Sequence, residues 1–139
     1  MCAHTQIRHR ARTNEEHTPW TTAPHWGPSE LFLLWTSPDA EVAYRMALMY
    51  AHAAKRAEWF ERVRLIACGS SQKLIVADKD IRAKLTAMMD NGMRVEACIA
   101  CAQTFSLVDE LRGLGLPVIG QDEPLSRIMK DPGLCVLSV

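Results

Sequence analysis

The sequence predicts an α/β fold in which a five-stranded parallel sheet forms the middle of a three-layer sandwich. Two observations carry this prediction. Short apolar runs recur along residues 29–139, and a segment with helical periodicity separates each run from the next. Strands that alternate with helices pair in parallel through right-handed crossovers. The simplest arrangement of this kind has the flavodoxin-like strand order 2-1-3-4-5, which is the order we expect.

The predicted strands comprise residues 31–35, 62–68, 93–98, 116–119 and 134–139. The first of them is apolar on both faces, as is typical of a central strand that helices cover on each side. The predicted helices comprise residues 38–59, a short turn at 71–77, then 78–91, 104–112 and 123–130. Ser37 is expected to cap the first helix and Gly92 to terminate the helix that precedes the third strand. The first helix has a broad apolar stripe, which indicates a second buried side, against another subunit.

Composition distinguishes the N-terminal residues from the rest of the chain and argues against several classes of function. Residues 1–28 have no periodic apolar pattern and are predicted to form a flexible or loosely docked extension, with a single domain at 29–139. The sixteen basic and sixteen acidic residues argue against a dedicated nucleic-acid or membrane-surface binder. No apolar run approaches the roughly 20 residues that span a bilayer. Since the N-terminus also lacks the apolar core of a signal peptide, a cytoplasmic protein is expected.

Two thiols stand at the end of the third predicted strand and are the candidate catalytic residues, Cys98 and Cys101. In the predicted strand order, this strand end and the loop at Thr36 and Ser37 flank the crevice where open α/β sheets bind ligands. A cysteine near a helix N-terminus or in a Cys-x-x-Cys pair often has a lowered pKa. The chemistry so favoured is attack on a disulfide or persulfide sulfur.

Other interpretations of these residues stay open. The two thiols can be inert and buried in a tight turn, as Cys68 and Cys135 are expected to be buried in or beside strands. A zinc site would need ligands from another subunit, because no second cysteine pair or histidine is close in sequence. The turn Gly69-Ser70-Ser71 either holds an anion through its backbone N–H groups or is a simple turn. Phosphate-binding loops are absent, so no cofactor is expected.

Residues 30–139 resemble the DsrE/DsrF/TusD-like sulfur-relay family, and most of all a subgroup with a Cys-x-x-Cys-Ala motif. The matching segments are residues 35–43 (Trp-Thr-Ser-Pro-Asp-Ala-Glu-Val-Ala), 49–50, 69–74, 77–78, 95–102 (Val-Glu-Ala-Cys-Ile-Ala-Cys-Ala), 111–115 and 123–125. The resemblance implies a DsrE-like sheet, homo-oligomers that are often trimers or hexamers, and a persulfide on the cysteine after the third strand. Cys98 matches that position, whereas Cys101 is a feature of the subgroup.

The expected function is therefore that of a sulfurtransferase-like persulfide carrier. Cys98 accepts sulfane sulfur from a donor protein and passes it to an acceptor protein. Cys101 is the partner thiol, which either attacks the persulfide or helps to hold the thiolate. The expected pocket consists of Thr36, Ser37, Gly69, Ser70 and Ser71. The alternatives are a non-catalytic oligomeric module for binding or assembly, and a dithiol redox sensor.

Overall fold

A computed structural model describes residues 27–139, in which strands and helices alternate as predicted. The predicted extension at 1–28 therefore lies outside the described residues, except for its last two. The strands are β1 (Glu30–Trp35), β2 (Arg62–Ala67), β3 (Arg94–Cys98), β4 (Val118–Ile119) and β5 (Leu134–Ser138). The α-helices are α1 (Ala40–Val42), α2 (Met49–Arg56), α3 (Ser71–Ala77), α4 (Lys79–Asp90), α5 (Ile99–Thr104), α6 (Val108–Gly113) and α7 (Asp122–Lys130), and a π-helical segment (Ala43–Leu48) joins α1 to α2.

The sheet is parallel throughout, but the predicted strand order 2-1-3-4-5 is wrong. The observed order is β4-β3-β2-β1-β5. The chain moves across the sheet in one direction from β1 to β4, and α7 then returns it to the opposite edge beside β1. Because crossovers are right-handed, the first three connections place their helices on one face and the return places α7 on the other.

Two apolar clusters of different size confirm this arrangement. The larger cluster packs one face of the sheet against the π-helical segment and helices α2 to α6. The smaller cluster consists of Phe32, Ile66, Ile128 and Val136, where Ile128 belongs to α7. The α/β fold with a five-stranded parallel sheet between helical layers is thus confirmed, with two layers of unequal extent.

Ion pairs on the α7 side explain why β2 lies between β1 and β3. The guanidinium of Arg64 on β2 lies 3.4 Å from a carboxylate oxygen of Glu30 on β1 and 4.0 Å from one of Glu96 on β3. Arg94 also pairs with Glu96, and the Gln121 amide donates to the same carboxylate at 3.1 Å. Buried charges need such partners. The predicted order would have separated β2 from β3.

The helix boundaries correct one predicted cap and confirm one terminator. The carboxylate of Asp39, not the hydroxyl of Ser37, caps the first helix by accepting from the N–H groups of Glu41 at 2.8 Å and Val42 at 3.1 Å. Gly92 follows α4 with φ of 83°, as predicted for a terminating glycine. None of the helices in residues 27–139 has the length and apolar character needed to cross a membrane.

Candidate functional site

The carboxyl ends of β2 and β3 bring two cysteines side by side. Ala67 pairs with Ala97 in the parallel register, so the next residues, Cys68 and Cys98, are neighbours across strands that lie about 4.8 Å apart. Side chains alternate between the two faces of a sheet, and Cys68 packs against the apolar cluster that contains Ile66. Both cysteines therefore belong to the face that α7 covers.

A third thiol completes the site, which we call the cysteine cluster (Cys68, Cys98 and Cys101). The segment after β3 is helical, although the next helix was predicted to begin only at residue 104: Cys98 is the N-cap residue of α5, and Cys101 lies within that helix. The thiols of Cys68 and Cys101 both lie close enough to Cys98 for its sulfur to contribute to their raised pKa values. Cys98 is 5% exposed, whereas the other two are half-buried. Cys98 thus lies between two S–H groups.

Burial keeps the two outer thiols protonated. Burial raises the pKa of Cys68 from 9.0 to about 12, and the neighbouring sulfur atoms of Cys98 and Cys101 add to this rise. Burial also raises the pKa of Cys101, although the backbone N–H of Gly69 donates to its sulfur and opposes the rise. The side chain of Asp122 raises both pKa values further. The adjacent helix was expected to lower the pKa of one of the two predicted thiols, and at Cys101 the pKa is raised instead.

Gln72 connects the two strand ends that hold the thiols. Its side-chain amide donates to the carbonyl oxygen of Ala67 at 3.0 Å and to that of Cys98 at 2.9 Å. The side chain is fully buried, and its Oε1 has no hydrogen-bond partner among the described residues. This bridge fixes the backbone of Cys98 relative to β2. Sequence reasoning missed it, and the only signal was a glutamine just after the turn that ends a strand.

The turn after β2 contributes one predicted pocket residue to the cluster directly. Gly69, with φ of 59°, directs its N–H to the sulfur of Cys101, and a Cβ there would lie 3.8 Å from the carbonyl oxygen of Thr36. Ser71 is fully buried, and its hydroxyl lies 2.8 Å from the carbonyl oxygens of Trp35 and Cys68. Ser71 therefore holds the turn from inside the molecule.

The structure places the remaining predicted pocket residues further along the same edge. The hydroxyl of Thr36 donates to the carbonyl oxygen of Val139 at 3.0 Å, and that of Ser37 accepts from the N–H of Asp39 at 3.2 Å. Ser70 is half-buried and precedes α3 without capping it through its side chain. Because β2 separates β1 from β3, the loop of Thr36 and Ser37 does not share a crevice with the end of β3.

The cysteine cluster is a set of thiols without the geometry of a metal site. Among residues 27–139, no group of three or more His, Cys, Asp or Glu side chains is arranged to hold a metal ion. What the arrangement offers is sulfur chemistry. The nearly buried sulfur of Cys98 lies beside two other thiols, and the backbone N–H of Gly69 and the carboxylate of Asp122 act on those outer thiols.

Fold and site define a class, an α/β protein with an all-parallel five-stranded sheet and thiols at the carboxyl ends of adjacent strands. Neither a protein-family model nor a curated protein matches the chain. A solved structure, a conserved protein of unknown function from Bacteroides thetaiotaomicron, is similar, with 29% sequence identity and a TM-score of 0.75. The match covers 80% of this chain and 95% of the other. This similarity supports the fold. It does not indicate a function, because the function of the similar protein is itself unknown.

Proposed function

We propose that this protein carries sulfane sulfur as a persulfide on Cys98, with Cys101 as the partner thiol, in a sulfur relay between a donor and an acceptor protein. The observation that carries the proposal is the position of Cys98 between the S–H groups of Cys68 and Cys101. These two donors can hydrogen-bond to a thiolate or perthiolate at Cys98. The resemblance of residues 95–102 to the DsrE-like motif supports the same cysteine.

Sulfur transfer at this site needs no external oxidant or reductant. The thiolate of Cys98 attacks the outer sulfur of a donor persulfide, R–S–SH, and the bond between the two donor sulfurs breaks. Cys98 then holds the S–SH group, and the donor leaves as the thiolate R–S⁻. Delivery of the sulfur uses the same reaction with the roles exchanged. An acceptor thiolate attacks the outer sulfur of the Cys98 persulfide, and Cys98 leaves as its thiolate.

The raised pKa of Cys101 favours carriage over immediate release. Release requires the Cys101 thiolate to attack the inner sulfur of the Cys98 persulfide, which forms a Cys98–Cys101 disulfide and expels HS⁻. Since burial raises the pKa of Cys101, little of this thiolate is present near neutral pH. Cys101 therefore attacks the persulfide on Cys98 only slowly, and the persulfide persists until an acceptor protein binds.

The same contact supports a second candidate, a dithiol redox sensor. In that function a two-electron oxidant removes two protons and two electrons from Cys98 and Cys101 and leaves a disulfide. The two candidates differ in what first reacts with Cys98. A third, a non-catalytic assembly module with inert thiols, would react with neither reagent.

Intact-protein mass spectrometry after incubation with glutathione persulfide tests the proposal. We expect a gain of about 32 Da on the wild-type protein, mapped to Cys98 by peptide analysis and absent from Cys98→Ala. Cys68→Ala keeps the acceptor sulfur of Cys98 and should still be loaded, although more slowly because one S–H donor is lost. An identical gain in Cys98→Ala, or no gain in the wild type, would contradict the proposal. Rapid formation of a Cys98–Cys101 disulfide with diamide in a protein that never gains sulfur would establish the redox sensor instead.

A further inference from the structure

A groove lies on the face of the molecule opposite α7, between α4 and the helix formed by the π-helical segment and α2. Its volume is about 800 Å³, and none of the three cluster thiols lines it. Most of its lining is apolar, and three cationic side chains also line it. We call it the basic groove, and the residues that carry the argument are Leu48, Met49, Met88, Arg45, Arg56 and Lys84.

The apolar part of the basic groove is partly open to solvent. Leu48 and Met88 are buried, at 3% and 4% exposure, whereas Met49 is 56% exposed. Small alanine side chains complete the lining and leave the space open. The volume falls within the roughly 300–1,000 Å³ that is typical of small-molecule sites. The groove therefore has the size and the apolar surface for a ligand of modest length.

The charged side chains that line the basic groove are all positively charged. Arg45, Arg56 and Lys84 line it together with His52, and no carboxylate side chain does. Arg45 has an exposed partner in Glu41 at 3.5 Å. Among the described residues, neither Arg56 nor Lys84 has an ion-pair partner, and the Lys84 ammonium lies 5.9 Å from the centre of the Tyr44 ring. Unpaired cations beside an apolar surface favour an anion with an apolar body, because such a ligand satisfies both surfaces at once.

One wall of the basic groove has an unusual backbone. Tyr44, Arg45 and Leu48 all belong to the π-helical segment, a rare conformation that occurs frequently at functional sites. The hydroxyl of Tyr44 donates to the carboxylate of Asp78, at 3.0 and 3.1 Å from its two oxygens. Asp78 caps α4. This contact links the π-helical segment to the start of α4 and so holds the two walls of the groove in a fixed relative position.

We propose that the basic groove binds a free small organic anion, a carboxylate with an unbranched or aromatic apolar body. The apolar body lies along Leu48, Met49 and Met88, and the carboxylate is held by Arg56 and Lys84. Charge complementarity and the volume of the groove favour such a ligand over a second protein chain. The site is separate from the cysteine cluster, so the proposal does not depend on persulfide chemistry.

Calorimetric titration of the full chain with decanoate tests this site. We expect saturation at one decanoate per chain, binding that weakens as salt is raised, and at least about tenfold weaker binding of decan-1-ol. Arg56→Gln and Lys84→Gln should each weaken decanoate binding about two- to fivefold, and together about tenfold. Lys79→Gln, an exposed lysine on the same helix but outside the groove, is the matched control and should bind as the wild type does.

Equal decanoate affinity in the double variant and the wild type overturns the proposal, as does equal affinity for decanoate and decan-1-ol. Circular dichroism and thermal unfolding confirm that each variant is folded before it is titrated. A second measurement addresses a protein occupant. Absence of decanoate binding by the wild type would also overturn the proposal. If folded Met49→Glu then converts an oligomer to a monomer in sedimentation velocity, the groove belongs to a second copy of the chain.

Discussion

At the residue scale, the three cluster thiols differ in burial and in proton affinity. The sequence motif indicated Cys98 and Cys101, and their roles stay predictions. It did not indicate Cys68, which is thirty positions away from Cys98 and was assigned only a packing role. Cys68 joins the cluster because β2 pairs with β3, and this pairing was not part of the predicted strand order. A local motif cannot report a partner that depends on long-range strand pairing.

Alkylation rates should separate Cys68 from an ordinary thiol. With a pKa of about 12 in place of 9.0, its thiolate fraction at pH 7.5 is lower by a factor of about 10³. We expect iodoacetamide to label Cys68 in the folded protein at least about 100-fold more slowly than it labels the same residue in urea. Peptide mass spectrometry over a time course measures both rates. Labelling of Cys68 at an equal rate in the two conditions would show that the cluster does not hold its proton.

Sulfide release should depend steeply on pH. Because the pKa of Cys101 is raised, its thiolate fraction at neutral pH is small and grows about tenfold per pH unit until the pKa is reached. In protein loaded with persulfide, sulfide release between pH 7 and 8.5 should rise in that proportion. Cys101→Ser should abolish the rise and prolong the life of the persulfide. A rate that is independent of pH, or unchanged in Cys101→Ser, argues against Cys101 as the attacking thiol.

At the scale of single elements, local sequence signals located the strands well and the helix ends less well. All five strands lie within the predicted runs or one residue beyond them. The predicted helix 104–112 corresponds to α6, which begins at residue 108, whereas residues 99–104, predicted as a loop, form α5; Ser106 lies between the two helices at φ of 57°. A non-glycine residue in this conformation gives no clear sequence signal, because packing of the surrounding chain imposes it. The same applies to the cap, where Asp39 rather than Ser37 was selected.

The bridge made by Gln72 should contribute measurably to stability. Gln72→Ala removes two hydrogen bonds, leaves two buried carbonyl groups without this donor and creates a cavity, which together should cost about 2–4 kcal/mol of unfolding free energy. Gln103→Ala, an exposed glutamine on α5, should change stability by less than about 0.5 kcal/mol. Urea unfolding measures both. Equal effects of the two substitutions would show that the Gln72 bridge is unimportant for stability.

At the scale of the whole molecule, the sequence predicted the class of fold but not the position of each strand. Apolar periodicity identifies strands and helices locally, and alternation then implies parallel pairing. Strand order depends on contacts between distant residues, such as those of Arg64 with Glu30 and Glu96. The predicted crevice between β1 and β3 was lost with the predicted order. The thiols nevertheless lie at the carboxyl edge of the sheet, where ligand sites of this class occur.

Because α7 packs on the sheet through a small apolar cluster, shortening one buried side chain of α7 should lower the free energy of unfolding measurably. Ile128 is 8% exposed and belongs to the small cluster that α7 forms with the sheet, so Ile128→Ala should cost about 2–3 kcal/mol. Met129 is 61% exposed, and Met129→Ala should cost less than about 0.5 kcal/mol. Urea unfolding of the two variants measures the difference. A smaller loss for Ile128→Ala than for Met129→Ala would contradict the assignment of α7 to this face.

The strand order also makes the two borders of the sheet unequal. β4 has two residues, whereas β5 at the other border has five. A short border strand presents few backbone groups to which another chain can add a strand, which is one way in which proteins resist unwanted association. The border nearer the cysteine cluster is formed by β4 and therefore presents few backbone groups for strand addition. The strand that contributes least to the sheet thus makes backbone pairing with another chain least favourable beside the thiols.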